Sequence, residues 1–285
     1  MYDVLFAPSR GKYVGKKPKV KCLLCAIRDK NPDVWTRKIY EDKNVMVIMN
    51  IFPYSPGHVQ VIPNRHVEGL NELSDDELEY ILDFVQRTTG FVKKIMEPDG
   101  FNIGINLGKS GASIKHLHVQ IVPRYKMIPG VEQEEIHKKY LENVSLLKNK
   151  IEIEETKKNC ECFKKNKYVL KKNPFVYLYE KPYNRGHVVV SPENHVNDIN
   201  QLSASELLRL FKEVINVKNA IENVYRTVGF NIGMNIGEIP NSSEHLQIHV
   251  APRYEPETGF MEVIGDTRVV VESLGQSYEK IKTKY

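Results

Sequence analysis

Apolar and polar residues alternate with a period of two in two neighbouring stretches of the chain, which is typical of β-strands. The first stretch runs from Gly100 to Leu107 and the second from His116 to Arg124. One face of the second predicted strand carries His116, His118 and Gln120. Two imidazoles and an amide on one face favour a surface that holds a ligand; two ordinary surface histidines are the alternative interpretation.

Two longer stretches of apolar residues have helical spacing, and each follows a Ser-x-x-Glu sequence that matches a capping box. The capping residues are Ser74 with Glu77 and Ser203 with Glu206. The apolar stripes are Leu78, Ile81, Leu82 and Val85 in the first helix and Leu207, Leu210, Phe211 and Val214 in the second. We therefore expect two amphipathic helices whose apolar stripes face the core.

The two halves of the chain repeat each other at a constant shift. His66 recurs as His195 and His116 as His245, and each pair differs by 129 positions. A repeat this long is a duplicated domain, since solenoid repeats run roughly 20–50 residues. Strand-rich halves with one main helix each predict an α+β fold, with an antiparallel sheet in each half.

The repeat also predicts the domain organisation. We expect a first domain over residues 1–130 and a second domain with a C-terminal tail over residues 160–285. Residues 131–159 between them are highly charged and predict a surface helix followed by a linker, with His137 as a solvated residue.

Length, charge and composition exclude several classes of protein. The chain has 285 residues and a formal net charge of +5, which suits an anionic ligand. No basic stripe interleaved with aromatic residues occurs, so nucleic-acid binding is not expected. No apolar run reaches the roughly 20 residues that span a bilayer. The N-terminus lacks a basic region followed by an apolar one, so we expect a cytoplasmic protein without a signal peptide.

A loop of small residues follows the first predicted strand. Residues 108–113 include Gly108, Gly111, Ser110 and Ser113. Successive backbone N–H groups in such a loop can turn toward one point and bind phosphate oxygens. The sequence is not a P-loop, because the spacing and the following helix are missing. An ordinary hairpin loop is the alternative interpretation.

Four cysteines occur as two close pairs, Cys22 with Cys25 and Cys160 with Cys162. In a reducing compartment such spacing favours metal binding over a disulfide. The Cys-x-x-Cys spacing of the first pair lets two thiolates share one tetrahedral ion. A redox-active or incidental pair is the alternative. The Cys-x-Cys spacing of the second pair is tighter and less usual for a metal site.

Four segments of the first half resemble the histidine triad superfamily, namely Asn50–His58, Val61–His66, Gly100–Gly108 and His116–Arg124. Glutamine at the third triad position, Gln120, is similar to the transferase branch. That branch includes dinucleoside polyphosphate phosphorylases and galactose-1-phosphate uridylyltransferases. The resemblance implies that two such domains pair into one continuous sheet, here as a pseudo-dimer within one chain. A further homodimer of the whole chain is left open.

The resemblance also implies roles for single residues. His118 would be the catalytic nucleophile that forms a nucleotidyl-histidine intermediate, with Gln120 and His116 beside it. The residues that would bind substrate are Asn50, Asn106, Gly108, Ser110, Gly111 and Ser113. A structural zinc ion would be held by Cys22, Cys25, His66 and His116, and a second, less regular site would use Cys160, Cys162, His195 and His245.

The second half differs from the first at the predicted nucleophile. Gln247 stands at the position of His118, and His249 stands at the position of Gln120. An amide nitrogen cannot attack phosphorus, because its lone pair is delocalised into the carbonyl group. We therefore predict that the second half is catalytically silent. Glu238 in the corresponding loop would also repel a polyphosphate.

These features together predict a nucleotidyltransferase that cleaves dinucleoside polyphosphates such as diadenosine tetraphosphate, with phosphate favoured over water as the acceptor. Two alternatives stay open at this point. One is a hexose-1-phosphate uridylyltransferase, although Leu117 stands where that family usually has proline. The other is a nucleotide-binding module without turnover.

Overall fold

The computed structural model describes residues 20–109, 114–149, 166–255 and 272–285, whose regular structure is ten β-strands, five α-helices and three short 3-10 helices, Leu70–Glu72, Val144–Lys148 and Ile199–Gln201. The strands of the first half are β1 (Arg37–Glu41), β2 (Val45–Met49), β3 (Val59–Pro63), β4 (Gly100–Gly108) and β5 (Val119–Arg124). Those of the second half are β6 (Val169–Lys172), β7 (Phe175–Leu178), β8 (Val188–Ser191), β9 (Gly229–Gly237) and β10 (Ile248–Arg253). The helices are α1 (Leu23–Arg28), α2 (Asp75–Met96), α3 (Gln133–Glu142), α4 (Ala204–Val224) and α5 (Leu274–Lys282).

The strands form one continuous antiparallel sheet in the order β1-β2-β3-β5-β4-β9-β10-β8-β7-β6. The second half repeats the order of the first in reverse, and the halves meet where β4 pairs with β9. In this pairing Gly104 lies opposite Gly233, its own equivalent at the shift of 129. An approximate two-fold axis therefore passes between these two glycines. The predicted α+β fold, with two paired domains in one chain, is confirmed.

The two long helices, α2 and α4, begin with the capping boxes that the sequence predicts. The hydroxyls of Ser74 and Ser203 accept hydrogen bonds from the N–H groups of Glu77 and Glu206. All the residues of the two predicted apolar stripes are buried, and they join one hydrophobic core on one face of the sheet. Among the described residues, no helix has both the length and the apolar character needed to cross a bilayer.

The opposite face of the sheet is covered differently. On the first half, α1 packs Leu24 against Met46, Ile48 and Ile62, which lie on β2 and β3. Over the central strands β4 and β9, alternate residues on this face are partly exposed. The middle of the molecule therefore presents an accessible sheet surface that belongs to both halves.

The edge strands β1 and β6 are a feature that the sequence pattern does not predict. Both are short, and both pair irregularly with their neighbours, between Lys38 and Tyr40 in β1 and between Val169 and Lys171 in β6. Charged residues and bulges at sheet edges prevent pairing with other chains. The same features interrupt the alternation that identifies a strand in a sequence.

The predicted strand from His116 to Arg124 is wrong at its beginning, because β5 starts at Val119. The Leu117 N–H donates to the Val67 carbonyl at 2.7 Å. The His116 ring lies 2.9 Å from the carbonyl of Pro63, to which it can only donate. These two bonds hold the chain outside the regular ladder, so His116 and His118 precede the strand that carries Gln120.

The charged segment after β5 contains the helix that its composition predicts, but one stripe of that helix is buried. In α3, Ile136 and Tyr140 are fully buried. His137 is half-buried rather than solvated, and its Nε2 lies 3.2 Å from the carbonyl oxygen of Lys38. Helix α3 therefore docks on the first half. The predicted boundaries of the two domains and the linker stay predictions, and residues 150–159 lie outside the described residues.

We expect Tyr140→Ala to destabilise the protein by about 3–5 kcal/mol, the usual cost of deleting a large buried aromatic side chain. The Tyr140 ring packs 5.0 Å from that of Phe91, and its hydroxyl donates to the carbonyl of Gly57. Urea denaturation measures the change in the free energy of unfolding. Leu141→Ala is the control, because Leu141 is 46% exposed. Equal effects of the two substitutions would contradict the docking of α3.

Candidate active site and metal centre

Cys22, Cys25, His66 and His116 form a compact cluster, as the sequence predicts. Their ligand atoms all lie within 4.8 Å of one another. The Cys22 thiol caps the N-terminus of α1, and its Sγ accepts a hydrogen bond from the N–H of Cys25. The first turn of α1 therefore places both thiols on the same side, facing the two histidines.

Three distances between ligand atoms in this cluster fit a tetrahedral metal site. The Nδ1 atom of His116 lies 3.4 Å from the Cys22 Sγ and 3.5 Å from the Cys25 Sγ. The Cys25 Sγ lies 3.3 Å from the Nδ1 of His66. Zinc bonded to sulfur at about 2.3 Å and to nitrogen at about 2.0–2.1 Å would put these atoms roughly 3.5 Å apart. The four side chains could therefore hold one such ion.

The second ring nitrogen of His116 fixes the orientation of the imidazole. Its Nε2–H donates to the carbonyl of Pro63 at 2.9 Å, so the Nδ1 lone pair points at the two thiols. Metal-binding histidines commonly donate their other N–H to a carbonyl or carboxylate group. Burial raises the pKa of the Cys25 thiol to about 11 without a metal, so an ion has to displace its proton to bind.

The described part of the second half repeats this arrangement. The rings of His195 and His245 lie 5.1 Å apart, edge to face, as those of His66 and His116 do at 4.8 Å. The Nε2–H of His245 donates to the carbonyl of Pro192 at 2.9 Å. Cys160 and Cys162 lie outside the described residues, so the second metal site stays a prediction.

His118, the predicted nucleophile, is 6% exposed and held in one tautomer. Its Nδ1 lies 2.7 Å from the carbonyl oxygen of His116, so that nitrogen carries the proton and donates it. The lone pair of the neutral ring is therefore on Nε2. Burial lowers the pKa of His118, which keeps the ring neutral near pH 7. The acceptor that fixes this tautomer is a backbone carbonyl, which the sequence does not identify.

A groove of about 760 Å³ crosses the middle of the open sheet face and belongs to both halves. Of the predicted site residues, Gln120 and Asn106 line it, together with Tyr54 from the turn after Asn50. The Asn50 side chain accepts from the N–H of Phe52 at 2.9 Å and so shapes that turn. His118 is buried just before β5 and is not among the described residues that line the groove.

A smaller cavity of about 340 Å³ lies at the end of β4. It is lined by Asn106, Gly108 and His116, and the cationic residues Lys109 and Lys115 also face it. Gly108 has a φ of +66°, which favours glycine at the start of this loop. The predicted phosphate-binding residues Ser110, Gly111 and Ser113 lie outside the described residues, so their roles stay predictions.

The structure adds Asn102, Asn231 and Asn235, which the sequence interpretation does not include, to the predicted residue Asn106. Asn102 pairs with Asn235, and Asn106 pairs with Asn231, each at 2.7 Å across the two-fold axis. The Arg124 guanidinium donates to the Asn102 side chain. A signal was available, since the Pro-Arg-Tyr sequence occurs at the end of the last strand of both halves.

In the second half, the buried residue His187 and the half-buried residue His249 form a directed hydrogen-bond chain. The N–H of Tyr183 donates to the Nδ1 of His187 at 3.0 Å, and the Nε2 of His187 lies 3.1 Å from the Nδ1 of His249. Because the Tyr183 N–H group can only donate, His187 accepts at Nδ1 and carries its proton on Nε2. The Nε2–H group then donates a hydrogen bond to His249. Burial is the main cause that lowers the pKa of His187 to about 3 and that of His249 to about 4. Both rings are neutral near pH 7.

The first half has the corresponding turn. His58 is fully buried, and its Nδ1 accepts from the N–H of Tyr54 at 3.3 Å. His58 therefore holds the turn before β3 through a hydrogen bond to the backbone. Glu238, expected to repel a polyphosphate, is paired at 2.7 Å with Lys126 of the first half.

We expect the free energy of unfolding to fall as the pH is lowered from about 6.5 to about 4. His187 and His249 resist protonation in the folded state, whereas both accept protons below about 6.5 when unfolded. This part of the stability is complete above pH 6.5 and is lost toward pH 4. His249→Gln should reduce the loss by on the order of 3 kcal/mol. Urea denaturation of both proteins at several pH values checks this. The same pH dependence in His249→Gln as in the unaltered protein would contradict the neutral state of the His187–His249 pair.

A repeated strand-helix unit, a Cys/His cluster and a His-x-His-x-Gln sequence that runs into β5 together define a class of histidine triad proteins. The model of the HIT domain matches residues 31–127 and 135–256, which is more than half of the chain. The chain therefore belongs to the HIT domain family, as its motifs predict.

Characterised relatives share part of this sequence. The chain is 42% identical over 85 residues to AP-4-A phosphorylase of Mycobacterium tuberculosis, covering 29% of this chain and 44% of that protein. It is 35% identical over 94 residues to the asymmetrical bis(5'-nucleosyl)-tetraphosphatase of Schizosaccharomyces pombe, covering 33% and 52%. The chain thus spans about half the length of these two relatives.

A solved structure shares the architecture of both halves. The ADP-glucose phosphorylase of Arabidopsis thaliana, solved with bound ADP-glucose, superposes with a TM-score of 0.67 over 95% of this chain and 93% of that one. The sequences are 14% identical. At that level the likeness shows a shared fold.

Proposed function

We propose that the protein is a nucleotidyltransferase that cleaves dinucleoside polyphosphates through a covalent intermediate on His118. The observation that carries this proposal is the tautomer of His118. Its Nδ1–H is held by the His116 carbonyl, which leaves the Nε2 lone pair for attack on phosphorus. Similarity to a phosphorylase and a tetraphosphatase that act on such nucleotides supports the substrate class.

The proposed reaction has two displacements at one phosphorus atom. In the first, the Nε2 of His118 attacks the α-phosphorus of the substrate. A P–N bond forms, and the P–O bond to the rest of the polyphosphate breaks, releasing a nucleoside polyphosphate. In the second, an oxygen of inorganic phosphate attacks the same phosphorus. The P–N bond breaks, a nucleoside diphosphate leaves, and His118 returns to its neutral form.

Gln120 is proposed to bind the phosphoryl oxygens of the reacting group without changing its own charge. Its amide has N–H donors and faces the groove from β5. A third histidine at this position would add a titratable group beside the phosphoryl-histidine. Glutamine removes that acid or base, which favours transfer to phosphate over activation of water. Asn50, Asn106, Gly108, Ser110, Gly111 and Ser113 remain the proposed substrate-binding residues.

We also propose that Cys22, Cys25, His66 and His116 hold one structural zinc ion. When bound, zinc would fix the four side chains in place and take no part in the chemistry. His116 would link the two sites, since its ring belongs to the metal cluster and its carbonyl holds His118. A second zinc ion at Cys160, Cys162, His195 and His245 is proposed on the repeat and on the matching geometry of the two histidines.

A panel of nucleotides incubated with and without phosphate tests the function. We expect diadenosine tetraphosphate plus phosphate to yield ATP and ADP, with little turnover when phosphate is absent. Release of AMP without phosphate would identify water as the acceptor. Exchange of uridylyl groups between hexose 1-phosphates, without cleavage of dinucleotides, would favour the uridylyltransferase alternative. No turnover of any substrate would leave a binding module.

A further inference from the structure

One row of residues runs straight across the centre of the sheet and joins the two halves. Gln120 pairs with Gly104, Gly104 with Gly233, and Gly233 with His249. Neighbouring strands are about 4.8 Å apart, so the backbones of Gln120 and His249 are separated by roughly 14 Å. Gln120 and His249 both line the central groove. The row therefore ends in a polar side chain on each half.

Between those two ends the row itself has no side chains, and the Asn102–Asn235 and Asn106–Asn231 pairs flank it. A Cβ on Gly104 would lie 2.9 Å from the Ile232 carbonyl oxygen, and one on Gly233 would lie 2.7 Å from that of Ile103. Close pairing of β4 with β9 thus favours glycine at both positions. The consequence is a bare strip, two strands wide, on which a flat or extended ligand can lie across the two-fold axis.

His249 faces this strip as a hydrogen-bond donor. Its Nδ1 accepts a hydrogen bond from the Nε2–H of His187. The tautomer of His187 is set in turn by the backbone N–H of Tyr183. The neutral His249 ring must therefore carry its proton on Nε2. A nitrogen in that state donates a hydrogen bond to an oxygen and does not attack phosphorus. The second half thus retains a binding group where the first half has Gln120.

The surroundings of His249 suit an anionic, aromatic ligand. Lys181 and Arg253 are the charged side chains among the described residues that line the groove, and both are cations. The Arg253 guanidinium stacks over the ring of Tyr183 at 5.1 Å. The ring of Tyr179 meets that of His249 edge to face at 4.9 Å. Cations with tyrosine rings are typical partners of a phosphate group and a nucleobase.

We propose that the second half of the groove is a binding subsite for a phosphorylated nucleoside, whose phosphate accepts a hydrogen bond from the Nε2–H of His249. This rests on the proposed function in one respect, since the ligand would be the part of the substrate that is not transferred to His118. The first half then performs the chemistry, and the second half holds the leaving nucleotide across the glycine strip. The repeat is used asymmetrically, with one reacting site and one site that only binds.

Equilibrium titration with ADP, adenosine and inorganic phosphate tests the subsite without relying on turnover. We expect the unaltered protein to bind two ADP molecules per chain and His249→Leu to bind one. His249→Gln retains an N–H donor and should again bind two. Adenosine alone should bind the subsite at least tenfold more weakly than ADP. Two ADP molecules bound equally well by His249→Leu would overturn the proposal.

A second variant keeps the test independent of the packing of His249. Lys181→Glu changes an exposed residue at the groove and should weaken ADP binding at the subsite at least fivefold. Lys172→Glu is the matched control, since it makes the same charge change on an exposed position of edge strand β6. Equal weakening of ADP binding by both substitutions would mean that only the net charge of the protein matters, and would also overturn the proposal.

Kinetics separates a failure of this inference from a failure of the proposed function. With the dinucleotide substrate, His249→Leu should raise KM at least tenfold and leave the rate of label transfer to His118 at saturation within about twofold. One outcome is that the unaltered protein forms no adduct while His249→Leu binds one ADP molecule fewer than the unaltered protein does. In that case the proposed reaction fails and the subsite stands. If the adduct forms and KM is unchanged, the subsite fails and the reaction stands.

Discussion

Replacing Cys22 with serine is expected to remove zinc from the first half of the protein and to unfold that half. The Cys22 thiol caps α1 and lies 3.4 Å from the His116 Nδ1, so its loss removes a ligand and a cap together. Metal binding in such sites is worth roughly 10–16 kcal/mol, which is comparable to the 5–15 kcal/mol stability of a whole domain. Zinc analysis and circular dichroism on the purified variant measure both losses.

The control for this experiment is Lys21→Ser, which changes the exposed neighbour of Cys22 and leaves the cluster intact. It should retain the zinc content and the circular dichroism spectrum of the unaltered protein. If the unaltered protein carries no zinc, or if Cys22→Ser folds normally with unchanged stability, the structural metal site is wrong. Loss of activity alone, in a folded protein that keeps its zinc, would contradict it as well.

His118→Ala is expected to abolish turnover while leaving the fold and the zinc content unchanged. Closing a covalent route should cost on the order of 10⁴-fold in rate, which corresponds to about 5.5 kcal/mol of transition-state stabilisation. The His118 side chain, the proposed nucleophile, lies outside the Cys/His cluster, to which His116 contributes its ring. Steady-state rates with diadenosine tetraphosphate and phosphate, beside a zinc assay, check this prediction.

Gln247→Ala is the matched control, because Gln247 stands at the equivalent position of the second half. Its amide cannot act as a nucleophile, so turnover should stay within about twofold of the unaltered protein. A binding module without chemistry predicts no turnover in the unaltered protein, and equal, mild effects of the two substitutions on nucleotide binding. A large loss in Gln247→Ala alone would move the reacting site to the second half.

The sequence identifies what depends on pattern. The constant shift between His116 and His245 predicts the two halves, and the capping boxes at Ser74 and Ser203 predict the long helices. The Cys/His cluster also follows from the motif, because Cys22 and Cys25 are close in the chain and the resemblance to the histidine triad superfamily implies two histidines beside them. Such features are local, or they repeat, and so they are visible without coordinates.

What the sequence does not identify depends on register and on tertiary contact. The tautomer of His118 is fixed by a backbone carbonyl, and the row that joins Gln120 to His249 exists only because β4 pairs with β9 at Gly104 and Gly233. The charge of α3 hides its buried residue Tyr140. Edge strands with charged residues lack the alternation on which strand prediction depends.

Mapping the covalent adduct tests the central claim most directly. The protein is incubated with a dinucleoside polyphosphate that is radiolabelled in the α-phosphate, without inorganic phosphate, and the reaction is quenched in base. We expect one label per chain on His118, lost when phosphate is added and absent in His118→Ala. Label on His245 or His249, or label that persists in His118→Ala, would contradict the assignment of His118 as the nucleophile.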